Sequence, residues 1–424
     1  MVEIWSAPTP VATINAVCPV PGSKSESNRA LVLGALGDGP SKLSGVLEAR
    51  DTELMIAGLR HLGVRIQLDH DEVVVTPPEH FVPAKIDCGL AGTVARFLPP
   101  LAALSGGECS FFGDPKMSER PIAPLLDGLR QLGASCSSEH VPFSISAPDG
   151  LTGREVRIDS SGSSQFISGL LLSAARFPNG LVLHHVGDSV PSLPHIEMSV
   201  SMLAQRGVRV SNAGMTWTVE PGTISSLDQR IEPDLSNAAA FLLAGVITGG
   251  RVTVPAWPSK TTQPGDLIRG VLDKVGAHSE LTKDGLSAWS SEDLSGVDLD
   301  MSSASELTPV VAALAVFCNG TTRITGVGHI RGHETNRIEA IVDELNAIGV
   351  TASELADGIQ IEGIGSHGSL SPRRPFKTYA DHRMVHLGAL LALKCSNLEV
   401  EDPKAASKTM PDFVERWTKM VNAE

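Results

Sequence analysis

No apolar run in the sequence is long enough to cross a bilayer: the longest, Ala238 to Ile247, is about half of what a membrane helix requires. There is no C-x-x-C pair, and six cysteines (Cys18, Cys88, Cys109, Cys136, Cys318, Cys395) lie scattered over 424 residues. That excludes a disulfide-stapled scaffold and reads as reduced, mostly buried thiols. Low-complexity tracts are missing despite 41 Gly and 28 Pro, so the chain is globular with many turns. Basic excess is missing as well. Lys and Arg number 34 against 48 Asp and Glu, a net charge of −14, which argues against nucleic acid or an anionic membrane as the main partner. Any anionic ligand must meet a local basic cluster. The opening residues, Met-Val-Glu-Ile-Trp-Ser-Ala-Pro, have neither a basic n-region nor an apolar h-region, and a cytoplasmic location is expected.

What is present is a repeat of about 70 residues. Leu59, Leu129, Leu203, Leu272 and Leu345 each begin an L-x-x-x-G ending in Gly63, Gly133, Gly207, Gly276 and Gly349. Each glycine precedes Val or Ala, the pattern of a helix C′ glycine leading into a strand. A second series of apolar helices turns at Gly39, Gly107, Gly180, Gly250, Gly320 and Asn397. Six such units fill the chain and predict two domains of three βαβαββ repeats.

The two helices of a repeat differ in character. Ala30 to Leu36, Val94 to Leu104, Phe166 to Ala175, Ala238 to Ile247, Leu307 to Phe317 and Leu387 to Leu393 are apolar nearly all round, as buried helices are. Their partners, such as Asp51 to Leu62 with Asp51 as the expected cap, carry a one-sided apolar face and belong nearer solvent. Parallel helices buried behind sheets follow.

The starts of the apolar helices carry the chemistry. They include Ser23-Lys24-Ser25 to Arg29, Gly89 to Arg96, Ser160 to Gln165, Asp234 to Asn237, Ser303 to Glu306 and Asp381-His382-Arg383. Unpaired N–H groups and a partial positive charge at a helix N-terminus suit phosphate or carboxylate. Plain capping explains any one of these ends; six of them, with Lys24, Arg29, Arg96 and Arg383 included, point to an anion site. A nucleotide P-loop is rejected at Pro21 to Ser25, because Val17 and Ser23 stand where that motif requires Gly.

Pro21-Gly22-Ser23-Lys24-Ser25-Glu26-Ser27-Asn28-Arg29-Ala30-Leu31 resembles the N-terminal signature of the 5-enolpyruvylshikimate-3-phosphate synthases. The resemblance continues, in the family's order, through Ala91-Gly92-Thr93, Glu119-Arg120-Pro121, Ser163-Ser164-Gln165, His333-Glu334-Thr335-Asn336-Arg337, Asp381-His382-Arg383-Met384 and Lys408-Thr409-Met410-Pro411. It implies a two-domain inverted α/β barrel, with residues 21–225 in one domain, 1–20 plus 226–424 in the other, and the active site in the cleft between them. It also implies a cofactor-free, metal-free cytoplasmic transferase of the shikimate pathway that moves the enolpyruvyl group of phosphoenolpyruvate onto shikimate 3-phosphate. A monomer is expected.

Residue by residue, the resemblance gives shikimate 3-phosphate to Lys24, Ser25, Arg29, Ser163, Ser164, Gln165, Ser192, Glu306 and His333. Phosphoenolpyruvate falls to Lys24, Gly92, Arg120, Gln165, Glu334, Arg337, Arg383 and Lys408. The catalytic set is Glu306, Glu334, Lys408 and Lys24. In the family reaction C3 of phosphoenolpyruvate is protonated, the 5-hydroxyl adds to C2, and phosphate leaves a tetrahedral intermediate. Glu306 is the expected base for the hydroxyl; Glu334 and Lys408 share proton traffic at the methylene carbon in an order left open. Glyphosate, the family's competitor of phosphoenolpyruvate, is expected beside Gly92.

Four positions depart from the pattern: Leu90 stands for a common Asn, Glu306 for Asp, His195 for Tyr and His333 for Lys. The last can be neutral or charged near neutrality. Three rivals remain. A UDP-N-acetylglucosamine enolpyruvyl transferase would carry a reactive Cys in the loop Gly113 to Arg120, which has none; Cys109 upstream reads as core. A metalloenzyme is suggested by the spacing of His329 with His333 and His382 with His386, against which Arg331, Arg337 and Arg383 stand in the same segments. A non-enzymatic anion binder would have little use for Glu306 and Glu334.

Overall fold

In a computed structural model, which describes residues 3–291 and 293–422, the chain divides into two compact units. One is Gly22–Ile231, here the N-terminal unit; the other, the C-terminal unit, joins Met1–Pro21 to Glu232–Glu424. The units divide at 231/232 rather than at 225/226, since Gln229–Arg230 still pairs in parallel with Leu43 and Ser44.

Among the described residues there are five four-stranded sheets, all with one topology: an edge strand parallel to its neighbour, followed by two antiparallel strands. The strand Lys85–Asp87, for example, runs parallel to Glu108–Phe112, which pairs antiparallel with Phe143–Ser146 and through it with Ser135–Cys136. In each unit one sheet takes its parallel edge strand from a distant part of the same unit. Gln229–Arg230 supplies the parallel edge of the first repeat, and Asn15–Val17 supplies that of the fourth. The sixth repeat is reduced: Phe376 bridges Val400 in parallel, and Ile4–Ser6 pairs antiparallel with Glu399–Glu401.

Each repeat contributes one buried helix: α1 (Lys24–Leu36), α2 (Gly92–Ala102) and α3 (Gln165–Ala174) in the N-terminal unit, α4 (Leu235–Thr248), α5 (Thr308–Val316) and α6 (His382–Ala392) in the C-terminal unit. Every residue of α2, α4 and α5 is buried, as the all-round apolar sequences require. The companion helices, such as Arg50–His61 and Ile268–Val275, bury one face only. Their closing glycines all take positive φ, from +78° at Gly207 to +107° at Gly133, a conformation glycine adopts without steric cost. All six cysteines are unpaired thiols, and burial pushes Cys88 and Cys318 up to about 12. No helix among the described residues is long and apolar enough to cross a membrane.

One sequence expectation is corrected. Asp51 does not cap its helix: the N-cap is Ala49, without a side-chain bond. Asp51 is the second residue of the helix, buried, and turns its carboxylate to Lys24, 3.7 Å away.

Helix α3 lies so close to α2 that a Cβ on Gly169 would overlap the carbonyl oxygen of Arg96. Gly169→Ala should therefore lower stability by about 1–3 kcal/mol, although alanine favours a free helix by about 1 kcal/mol. Urea unfolding followed by circular dichroism checks it; a stabilised variant would contradict the packing.

Candidate active site

In the N-terminal unit the first turns of the three buried helices are joined by side chains. Asn28 donates to Thr93 Oγ1 at 2.7 Å, Arg29 Nη2 donates to Ser168 Oγ at 3.2 Å, and Arg96 Nη1 donates to Gln165 Oε1 at 3.1 Å. The helices therefore point their N-termini to one end of the unit, where their partial positive charges add.

Around that end stand the expected residues. Lys24 opens α1 behind Ser23, whose Oγ accepts from the Glu26 amide at 3.4 Å. Arg29 is buried beneath it: its guanidinium donates to Ser199 Oγ, the Ser25 carbonyl, Ser168 Oγ and the His195 carbonyl, and Phe97 covers it at 5.0 Å. Burial lowers its pKa to about 9, with Glu26 opposing the shift. Gly92 begins α2, and a Cβ there would lie 2.6 Å from Arg96 Nη1 and 3.0 Å from Arg120 Nη2. Two guanidinium groups thus converge on a spot that only glycine leaves open. Arg120 is steadied by donating to the Leu90 carbonyl at 3.0 Å. Ser163 Oγ accepts from the Gln165 amide at 3.2 Å. Ser164 is buried just before α3. Ser192, with φ +52°, leads into the helix Leu193–Gln205.

In the C-terminal unit the centre is Arg337, the first residue of the helix Arg337–Ala347. Its Nε donates to Asp381 Oδ2 at 2.7 Å and its Nη2 to Asp381 Oδ1 at 3.2 Å. Nη2 also donates to Glu334 Oε2 at 2.9 Å, and the other oxygen of Glu334 accepts from Lys408 Nζ. Burial alone would lower the Arg337 pKa; Asp381 and Glu334 more than offset it, and the guanidinium is held above its usual value. Arg383, the second residue of α6, is shifted down by burial and by repulsion from Arg337, with Glu306, Asp234 and Asp381 acting against this. The starts of α4, α5 and α6 therefore lie within electrostatic reach of one another, as in the other unit.

Arg337 Nη1 meets His333 Nδ1 at 3.0 Å. A guanidinium has no acceptor, so Nδ1 is the accepting atom of this contact. The other histidines are engaged as well. His329 Nε2 contacts Ser305 Oγ at 2.8 Å, and its pKa falls to about 4, chiefly through burial, with Glu306 opposing and Arg337 assisting. His382 Nδ1 lies 3.5 Å from Asp381. His386 packs against Phe413 at 4.6 Å and burial lowers it to about 3. Among the described residues no group of three or more His, Cys, Asp or Glu is arranged to hold a metal ion.

Two residues make contacts that the sequence did not assign: in the N-terminal unit Asp51 faces Lys24, and in the C-terminal unit Asp381 pairs with Arg337. Asp381 both caps α6, accepting from the Arg383 amide at 2.9 Å, and pairs with Arg337. Its position two residues before Arg383 was visible, but its partner 44 positions upstream was not.

A family model described as EPSP synthase (3-phosphoshikimate 1-carboxyvinyltransferase) matches residues 8–417. Among solved structures the chain is similar to EPSP synthase from Acinetobacter baumannii, at 23% identity and a TM-score of 0.78, with 97% of each chain covered. It is also similar to the enolpyruvyl transferase NikO from Streptomyces tendae, at 17% identity and a TM-score of 0.74, with 97% of this chain and 96% of that one covered. At such identities the structural likeness speaks for the fold.

Asp381→Ala would leave the guanidinium of Arg337 buried without its bidentate partner and α6 without its cap. A loss of about 3–5 kcal/mol in unfolding free energy is expected, with Asp381→Asn losing less because it keeps the cap. Equal, small losses in both variants, measured by denaturant titration, would remove the pair from its central place.

Proposed function

We propose a division of labour among these residues, from the premise that the chain belongs to the EPSP synthase (3-phosphoshikimate 1-carboxyvinyltransferase) family. The reaction moves the enolpyruvyl group of phosphoenolpyruvate to the 5-hydroxyl of shikimate 3-phosphate and releases phosphate, a step of the shikimate pathway toward aromatic amino acids. The family match does not favour the UDP-N-acetylglucosamine enolpyruvyl transferase alternative.

Shikimate 3-phosphate is assigned to Lys24, Ser25, Ser163, Ser164, Gln165, Ser192, Glu306 and His333, with Arg29 backing the Ser25 carbonyl from within the unit. Phosphoenolpyruvate is assigned to Lys24, Gly92, Arg120, Gln165, Glu334, Arg337, Arg383 and Lys408. Two dissociated substrates carry several negative charges, and charge-assisted hydrogen bonds in a partly dry site contribute about 1.5–3 kcal/mol each. Forked guanidinium groups match a carboxylate and a phosphate better than ammonium does.

The observation that carries the catalytic assignment is Glu334 held between two cations, Lys408 on one oxygen and Arg337 on the other. A carboxylate weakens an anion site by its own charge, so its presence there is explained by proton transfer. Lys408 and Glu334 form a direct path for a proton to and from the methylene carbon. Glu306, near the start of α5, is assigned to take the hydroxyl proton. A cytoplasmic monomer acting on two diffusible anions completes the proposal.

Release of inorganic phosphate that requires both substrates tests the activity directly. In the same assay Glu334→Gln should lose at least a hundredfold in kcat, the usual scale for general acid–base catalysis, with the KM for phosphoenolpyruvate changed by less than about threefold. A variant that turns over normally but fails to bind would make Glu334 a binding group only.

A further inference from the structure

The chain contains a single tyrosine, Tyr379, and it stands in an unusual piece of backbone. The Asp381 amide donates to the Thr378 carbonyl at 2.8 Å, closing a four-residue turn. Both central residues are left-handed, Tyr379 at φ +55° and Ala380 at φ +58°. Such a turn favours Asn-Gly; a bulky aromatic followed by alanine is a poor sequence for it, so something outside the turn must hold it. That something is Glu344. Tyr379 Oη donates to Glu344 Oε1 at 2.8 Å, and the Lys377 amide donates to Oε2 at 3.0 Å. Arg374 forks onto the same carboxylate at 2.7 and 2.8 Å. Glu344 itself is wholly buried.

Glu344 belongs to the helix Arg337–Ala347, seven positions after Arg337, and residues seven apart share a helix face. One face of one helix thus grips the turn at two points: Arg337 holds Asp381 at its end, and Glu344 holds Tyr379 in its middle. We infer that Tyr379 is a positioning residue, whose bond to Glu344 maintains the left-handed turn that sets Asp381 and Arg383 at the start of α6. This rests on the assignment of Arg337 and Arg383 to phosphoenolpyruvate and adds a residue outside that set. Without the hydroxyl the turn relaxes toward right-handed backbone, Asp381 shifts against Arg337, and Arg383 moves with it.

The test uses Tyr379→Phe, Ala380→Gly and the double variant, with Arg383→Ala beside them. Tyr379→Phe should raise the KM for phosphoenolpyruvate about tenfold, the weight of one hydrogen bond to a charged group. Ala380 is exposed, so Ala380→Gly loses no packing and should keep wild-type kinetics. In the double variant glycine lowers the cost of the left-handed turn without restoring the hydrogen bond. The KM should return to within about threefold of wild type. A purely structural tyrosine would lower the melting temperature and leave the KM alone; that result, or a raised KM that glycine does not recover, overturns the inference. If Arg383→Ala keeps the wild-type KM, the site assignment fails and takes this inference with it; if it raises the KM and Tyr379→Phe does not, only the tyrosine clamp fails.

Discussion

A helix buried on every side can meet a ligand only at its ends, and that constraint governs this protein. Where α2, α4 and α5 bury every residue, no side chain beyond the first turn is available for chemistry. The first turns must then supply the polar groups, and the three helices of a unit must agree in direction for those groups to converge. Cross-links such as Asn28 to Thr93 and Arg96 to Gln165 join those turns. The repeated sheets behind them share one topology, so each repeat delivers its helix start to the same end of its unit and leaves the first-turn residues free to differ.

Cations gathered at helix N-termini work against the local field. A half charge at about 4 Å in a medium of effective dielectric about 20 opposes a guanidinium by about 2 kcal/mol, and removing the ion from water costs several kcal/mol more. Burial thus outweighs the helix field, and each of these cations is met by oxygen acceptors of the protein. Arg337, nearly inaccessible, has two oxygens of Asp381 and one of Glu334; Lys24, at 17% exposure, faces Asp51 at 3.7 Å. Arg29 donates to neutral oxygens and its pKa is lowered accordingly. Asp381 and Asp51 thus hold Arg337 and Lys24 in place through the protein's own charge.

Much of this could be read in the sequence because it is local or periodic. The L-x-x-x-G series marked five helix ends, and all five glycines take the left-handed conformation. All-round apolarity separated buried helices from half-buried ones. What stayed hidden was pairing at a distance. Asp51 has the look of a cap at the start of its helix, and nothing nearby in sequence shows that a lysine 27 positions earlier claims its carboxylate. Gln229–Arg230 is too short a strand to show a period, and its partners lie far off at Leu43 and Ser44. The contact between Arg337 Nη1 and His333 Nδ1 is likewise invisible in the sequence.

The turn before Asp381 shows how distance also hides strain. A left-handed non-glycine residue costs about 1–2 kcal/mol, and Tyr379 and Ala380 stand in that region in succession. From sequence alone Thr-Tyr-Ala-Asp gives no hint of it. The cost is tolerable because Glu344 gathers an amide, a hydroxyl and a guanidinium from three residues around the bend. Those bonds also offset the burial of the Glu344 carboxylate, so they add little net stability. Their effect is directional. A carboxylate fixed on one helix leaves the tyrosine hydroxyl a single place to go, and the peptide that follows must then aim Asp381 at the guanidinium two turns back along that same helix.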